Sequence, residues 1–312
     1  MTEHVHLRHA PVTGQIAAAL AHRCGLSYGE IAHQDTTILV DGAVTVDAKM
    51  MPRLHTVIVP WAGIGEAALQ RARDAKVQLF NLHHNAAATA EMALALLFSC
   101  ARGIPQADAR MRKGHWNRHD GRDDAIQLSG KSMCLFGAGE IGRNVGRVAE
   151  SLGIEVIAIR RQRRVGDPAH VCEASQLEEA LARAHILVVA APLTRETHGR
   201  ITSRELRLLK EPRLVVNVGR GPIIVERDLF ELLRSREIHA AGLDVWYRYP
   251  SGDPPHFPSE FPFHQLETVT LSPHTGGGTR ESEPLRDAAL ARLLDDLLEG
   301  RPVKPVDLEL GY

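Results

Sequence analysis

At 312 residues the chain is about twice the usual single-domain length, and its 44% hydrophobic and 24% charged residues exclude a disordered chain, a coiled-coil rod and a disulfide-stapled mini-protein. Its 37 Lys and Arg against 38 Asp and Glu leave a net charge of −1, which is no electrostatic footprint for nucleic acid or an anionic membrane. Cys24, Cys100, Cys134 and Cys172 lie far apart without metal-ligand spacing, so they read as reduced thiols acting as small buried hydrophobes.

The first residues, Met1-Thr2-Glu3-His4, show neither the basic stretch nor the apolar core of a signal peptide, and a cytoplasmic location is expected. Strands are predicted at residues 5–7, 37–40, 56–59 and 77–80, with helices at 12–24 and 66–74, which reads as a small α/β domain. Residues 86–101 form the most apolar stretch, but it contains Glu91 and is shorter than the ~20 residues that cross a bilayer, so a buried helix between domains is expected. From about residue 128 six apolar runs, at 133–137, 155–159, 186–191, 214–218, 240–245 and 268–271, alternate with helical patterns at 140–152, 175–184, 203–209 and 226–236. The runs are continuously apolar, as strands covered on both faces of a parallel sheet require. Ser175 and Glu178 offer a capping box, the Pro- and Gly-rich stretch 249–262 reads as a long functional loop, and a final helix is expected at 283–300.

Gly137-Ala138-Gly139-Glu140-Ile141-Gly142 follows a predicted strand and opens a helix. Glycines so placed allow a tight turn and close approach of a dinucleotide pyrophosphate to a helix N-terminus, where free N–H groups and the dipole favour anions. An acidic residue that selects the unmodified ribose belongs near position 160, within the ~20-residue spacing of that motif. Arg160 and Arg161 stand there, with Arg163 and Arg164 behind them, so NADP is expected to be preferred and NAD to remain possible; a solvated basic turn is the alternative.

Four further motifs fall in order at strand ends: Pro192-Leu193-Thr194-x-x-Thr197-x-Gly199, Val216-Asn217-Val218-Gly219-Arg220-Gly221, Gly242-Leu243-Asp244-Val245 and Ser272-Pro273-His274-Thr275-Gly276-Gly277. With the glycine fingerprint they make the chain resemble the D-isomer-specific 2-hydroxyacid dehydrogenase family, densely over residues 81–278 and loosely before. The resemblance implies a doubly wound Rossmann domain, residues 86–281, and a smaller flavodoxin-like α/β substrate domain, residues 1–85 and 282–312. It also implies hydride transfer between NADPH and a small 2-keto acid such as glyoxylate or hydroxypyruvate. By the same resemblance Arg220 grips the carboxylate, His274 is the acid/base, Asp244 positions the nicotinamide or the histidine, and Pro192, Thr197, Val218, Gly219, Gly276 and Gly277 line the cofactor. Trp61-Ala62-Gly63-Ile64 matches the loop whose N–H groups hold the substrate carboxylate, and residues 107–124 match an arm that packs across a dimer axis, so a homodimer is expected.

One position departs from the pattern. The family pairs its histidine with a glutamate five residues after the aspartate, and here that residue is Tyr249. Either the phenol substitutes for the carboxylate, or another acid such as Glu260, Glu267 or Glu283 folds in, or the hydride chemistry needs no proton. The last resembles the formate dehydrogenase branch, which Trp246 and Asn85 fit. A catalytically weak cofactor-sensing binding protein is the alternative from another class. Without a carboxylate neighbour, the protonated fraction of His274 is expected to fall above pH ~6.5. His83, His84, His115 and His119-Asp120 lack the spacing of a zinc site, and no metal is expected.

Overall fold

The computed structural model describes residues 3–9, 11, 13–20, 23–47, 49–117, 124–163, 165–168, 170–249, 252 and 254–312. Val12, His119, Asp120, Arg164 and Pro250 lie outside the described residues. The chain divides into two compact units, Met1–Asn85 with Thr279–Tyr312, and Ala86–Gly278.

In the first unit five parallel strands, β1 (His4–Leu7), β2 (Gly25–Tyr28), β3 (Ile38–Val40), β4 (Thr56–Val59) and β5 (Gln78–Asn81), lie in the order β2-β1-β3-β4-β5. That is the flavodoxin-like order. Successive side chains point to opposite faces, so Val5, Ile38, Val40, Ile58 and Phe80 meet α1 (Gln15–Leu20) and the C-terminal helix Ser282–Leu298. Leu39, Val57, Val59 and Leu79 meet α2 (Glu66–Ala75) on the other face. The tail returns to this unit, where Val306 is buried and its N–H donates to Leu79 O at 2.7 Å. Two expectations need correction: the first helix stops at Leu20 within the described residues, and the strand β2 follows it. Gly-Leu-Ser-Tyr on a half-exposed edge carries no apolar run to announce it.

The edge is held by side chains instead. The carbonyl of Gly29 can only accept, so His6 Nε2 donates to it at 2.8 Å and His6 Nδ1 accepts from the Ser27 hydroxyl at 2.8 Å. Ser27 Oγ in turn accepts from His4 Nε2 at 2.8 Å.

In the second unit seven parallel strands follow the order β12-β11-β10-β9-β6-β7-β8: β6 (Ser132–Phe136), β7 (Glu155–Arg160), β8 (Val171–Glu173), β9 (Ile186–Val189), β10 (Leu214–Asn217), β11 (Ala240–Leu243) and β12 (Val269–Leu271). Six were expected; β8 is a three-residue edge strand whose Val-Cys-Glu is too short to show a period. One face carries α3 (Ala86–Arg102) and α5 (Glu140–Ser151), and the other α6 (Leu177–Arg183), α7 (Ser203–Leu208) and α8 (Glu226–Arg234). A Cβ on Gly242 would come within 2.7 Å of Leu96 Cβ, so the absence of a side chain there lets α3 lie directly on β11. The strand sequence reverses direction between β6 and β9, which is the switch point where doubly wound sheets open a crevice. After the left-handed Gly103 the chain bends by 65° into α4 (Ile104–Arg112), which has no buried residue.

The expected Ser175 and Glu178 box is replaced by one turn of 3-10 helix whose reciprocal cap is Glu173 with Gln176. A second box, Thr202 with Glu205, opens α7. Among the described residues no single helix is long and apolar enough to cross a membrane. In the first unit, Ser27→Ala deprives two imidazoles of their shared partner and is expected to cost about 1–3 kcal/mol, read as a lower urea midpoint.

Candidate active site

The glycine loop sits at the switch point. Gly137 has φ +121°, and a Cβ there would lie 2.5 Å from Ala191 N, so only glycine lets β6 turn this close to the chain leaving β9. A Cβ on Gly142 would lie 2.0 Å from Gly137 O, so the third glycine closes the helix onto the loop. Gly139 is different: nothing lies within 4 Å of its Cβ position, it caps α5 in an extended conformation, and no side chain caps the helix. The first-turn amides of α5 therefore face an open approach with the positive end of the helix behind them. That is an anion cradle, and the residues present fit a dinucleotide pyrophosphate. Glu140, on the rim, is paired with Arg143, and Ile141 packs against the apolar layer beneath.

The basic turn is less bare than its sequence suggests. Arg160, the last residue of β7, is paired with Asp167 at 2.6 Å, both side chains being 13% exposed. Arg161 reaches Glu196 at 2.8 Å. Beside them a cavity of about 220 Å³ between α5 and the β7–β8 edge is lined by Arg143, Arg147, Arg160, Asp167 and His170. Sequence reading missed Asp167, because its pairing crosses a loop that carries no periodic signal.

The loop after β9 is braced by Thr197, whose Oγ1 donates to Pro192 O at 2.7 Å and accepts from Thr194 N at 2.8 Å. After β10, the N–H of buried Val218 donates to Val189 O at 3.0 Å. Asn217, 1% exposed, then clamps the turn: its Nδ2 donates to Arg220 O and its Oδ1 accepts from Gly219 N, both at 3.1 Å. A Cβ on Gly219 would approach Ala191 O to 2.7 Å, and one on Gly221 would approach Trp246 O to 2.3 Å. Arg220 is thus held between two glycines pressed on neighbouring backbone, and its Nη1 donates to Gly219 O at 2.7 Å.

After β11, Asp244 is 1% exposed and its carboxylate is the acceptor for the next strand's turn. Ser272 Oγ donates to Oδ1 at 2.6 Å, Thr275 N to Oδ1 at 3.0 Å and Gly276 N to Oδ2 at 3.0 Å. A Cβ on Gly276 would lie 2.6 Å from that carboxylate, and Gly277 follows it. The turn holds His274 at φ +58°, a left-handed conformation that non-glycine residues seldom adopt. Trp246, buried against Phe263, donates its indole N–H to Ser272 O at 2.8 Å and so forms part of the frame of this turn.

His274 is exposed. Partial desolvation and the Arg220 guanidinium push its pKa below the ordinary histidine value, against a smaller opposing pull from Asp244. Tyr249, 54% exposed, lays its ring 5.3 Å from the imidazole at 52°. Among the described residues no hydrogen bond joins the two side chains. Of the other candidate acids, Glu260 is paired with Arg248 at 2.8 Å, and Glu283 in the first unit is paired with Arg286.

In the first unit Trp61, Ala62, Gly63 and Ile64 follow β4. Asn81, missed in the sequence, donates from Nδ2 to Ala62 O at 2.7 Å. Trp61 lies over Gly42, where a Cβ would come 1.8 Å from its ring. Asn85 closes that unit, half-buried.

Residues 94–276 match the family model of the D-isomer specific 2-hydroxyacid dehydrogenase, NAD binding domain. The chain belongs to the D-isomer-specific 2-hydroxyacid dehydrogenase family. It is 31% identical over 213 residues to the D-3-phosphoglycerate dehydrogenase of Methanocaldococcus jannaschii, covering 68% of this chain and 39% of that one. It is 35% identical over 210 residues to the glyoxylate reductase of Aeropyrum pernix, covering 65% and 61%. The chain thus spans about half or less of the length of the phosphoglycerate dehydrogenases it matches. Its fold is also that of the NADPH-dependent glyoxylate/hydroxypyruvate reductase from Sinorhizobium meliloti in complex with NADP and malonate, with a TM-score of 0.76 at 22% identity over 100% of this chain and 98% of that one.

In this member of the 2-hydroxyacid dehydrogenase family, the imidazole of His274 is expected to titrate below the ordinary midpoint of ~6.5, followed by its Cε1 proton in an NMR pH series with His274→Gln assigning the resonance. A midpoint above 7 would mean that a carboxylate supports the imidazolium after all.

Proposed function

We propose that the chain is an NADPH-dependent reductase of small 2-keto acids of the glyoxylate or hydroxypyruvate kind, working also in reverse on the 2-hydroxy acids. The observation that carries this reading is the display of Arg220 and His274 from the ends of β10 and β12, the strands on either side of β11, braced by Asn217 and Asp244, on the sheet that also carries the glycine cradle. The names of the glyoxylate reductase relative and of the NADP-bound structural neighbour support it.

A bound reduced nicotinamide supplies a hydride. The chain's residues do the rest. The Arg220 guanidinium forks two N–H bonds to the substrate carboxylate and carbonyl, fixing orientation and drawing charge toward oxygen. His274, when protonated, gives its proton to that oxygen. Gly137, Gly139, Glu140, Ile141 and Gly142 cradle the pyrophosphate, while Pro192, Thr197, Val218, Gly219, Asp244, Gly276 and Gly277 line the remaining cofactor path. Arg161, with Arg160 held by Asp167, sets the preference for the 2′-phosphate. Within the first unit, residues 1–85 with the C-terminal segment, Trp61, Ala62, Gly63 and Ile64 offer backbone N–H groups suited to a substrate carboxylate and Asn85 a side-chain amide for substrate, while in the second unit Tyr249 is the substrate-facing residue beside His274. The arm of residues 107–124, whose described part includes the end of α4 with Met111 uncovered, is the segment across which a second copy packs, giving a cytoplasmic homodimer.

The test is NADPH and NADH oxidation at pH 6 with glyoxylate, hydroxypyruvate and pyruvate. Turnover with NADPH preferred is expected, falling about tenfold per pH unit once the pH exceeds the His274 midpoint. Arg220→Gln is expected to lower kcat/KM about 100-fold by removing a charged pair of hydrogen bonds. Tight NADPH binding without turnover of any keto acid would mark a cofactor-sensing binding protein instead.

A further inference from the structure

Reduction of a 2-keto acid and of a 2-imino acid differ in their demand for a proton. Hydride addition to C2 of the keto acid breaks the C=O π bond and leaves a strongly basic alkoxide, which must take a proton from the site. The same addition to a protonated imine, R–C(=NHR′⁺)–COO⁻, breaks the C=N π bond and places its electron pair on nitrogen. The product of that step is a neutral amine, which later takes its proton from water.

The groups that face His274 suit the second case. Among the described residues they are the Arg220 cation, the neutral ring of Tyr249 at 5.3 Å and the carboxylate of Asp244. Asp244 is already committed to Ser272 Oγ, Thr275 N and Gly276 N, and Glu260 to Arg248. No carboxylate among the described residues sits on the imidazole to keep it charged.

We propose that this site also reduces the C=N bond of 2-imino acids formed from a 2-keto acid and ammonia or a primary amine, the two electrons arriving as a hydride from reduced nicotinamide dinucleotide. The proposal rests on the dinucleotide-dependent reading of the site. Arg220 binds the carboxylate that both substrates share. A neutral imidazole has one ring nitrogen that accepts, so His274 takes a hydrogen bond from the iminium N–H, whereas a keto oxygen would need it to donate. The ring of Tyr249, tilted at 52° to the imidazole, brings an aromatic surface near the iminium charge, and its exposure leaves room for the amine substituent.

The experiment follows NADPH oxidation with pyruvate or glyoxylate at pH 6 and at pH 9, with and without methylamine, and identifies the products by mass spectrometry. At pH 9 methylamine is expected to raise the rate about tenfold or more, one pKa unit's worth of missing proton, with the N-methyl amino acid as product. Tyr249→Glu, which returns a carboxylate to the imidazole, is expected to raise keto acid reduction at pH 8 about tenfold and so to shrink the stimulation of turnover by methylamine at that pH. Keto acid turnover at pH 6 with no response to methylamine at pH 9 overturns this inference and leaves keto acid reduction standing. Amine-dependent turnover without keto acid turnover sustains it and overturns the keto acid reading. No turnover in either arm overturns both.

Discussion

A carboxylate taken out of water is costly unless its lone pairs are met, and Asp244 meets this condition with three donors drawn from one short turn. The consequence runs outward from there. The donors Ser272, Thr275 and Gly276 tie both ends of residues 272–276 to one carboxylate, and the turn closed in this way carries His274 in a left-handed backbone conformation. Strain of this kind persists only where the surroundings over-determine it. Here they do so through the buried carboxylate, the indole bond from Trp246 to Ser272 and the missing Cβ at Gly276.

The neighbouring strand end repeats the device with neutral groups. Asn217 uses both ends of its amide on the turn that carries Arg220, and glycines on either side of the arginine let that turn press against the ends of β9 and β11. Two side chains that must act on one small molecule are thus fixed by backbone-directed bonds from rigid strands, the arrangement that a positioned active site needs. In the first unit Asn81 does the same for the Trp61 loop.

The parallel sheets and the family were legible in the amino-acid sequence, because strands covered on both faces appear as unbroken apolar runs and because the glycine motif and four strand-end motifs occur in order. The edge strands β2 and β8 were not, since three or four half-exposed residues leave no pattern. Arg160 and Arg161 read as an uncompensated basic turn because Asp167 and Glu196 reach them only in three dimensions. Asn217 stood inside a quoted motif, yet nothing local marks its side chain as a clamp. Trp246 was legible as a resemblance to the formate dehydrogenase branch, whereas its indole bond to Ser272 O, which braces the turn of His274, was not. Tyr249 could be seen to replace a glutamate, whereas the tilted packing of its ring 5.3 Å from the imidazole of His274 could not.

The electrostatics then decide the chemistry. Partial desolvation and a guanidinium beside the imidazole favour its neutral form, so Arg220 supplies the fixed charge of this site and His274 supplies a hydrogen-bonding nitrogen whose role depends on pH. The most direct test is a crystal structure of the protein with NADPH and oxamate, whose carboxylate and adjoining carbonyl mimic a bound 2-keto acid. The account predicts oxamate forked on the Arg220 guanidinium, its amide group within hydrogen-bonding distance of His274 and the Asp244-bound turn unchanged. Oxamate bound elsewhere, or His274 turned away from it, would contradict the account.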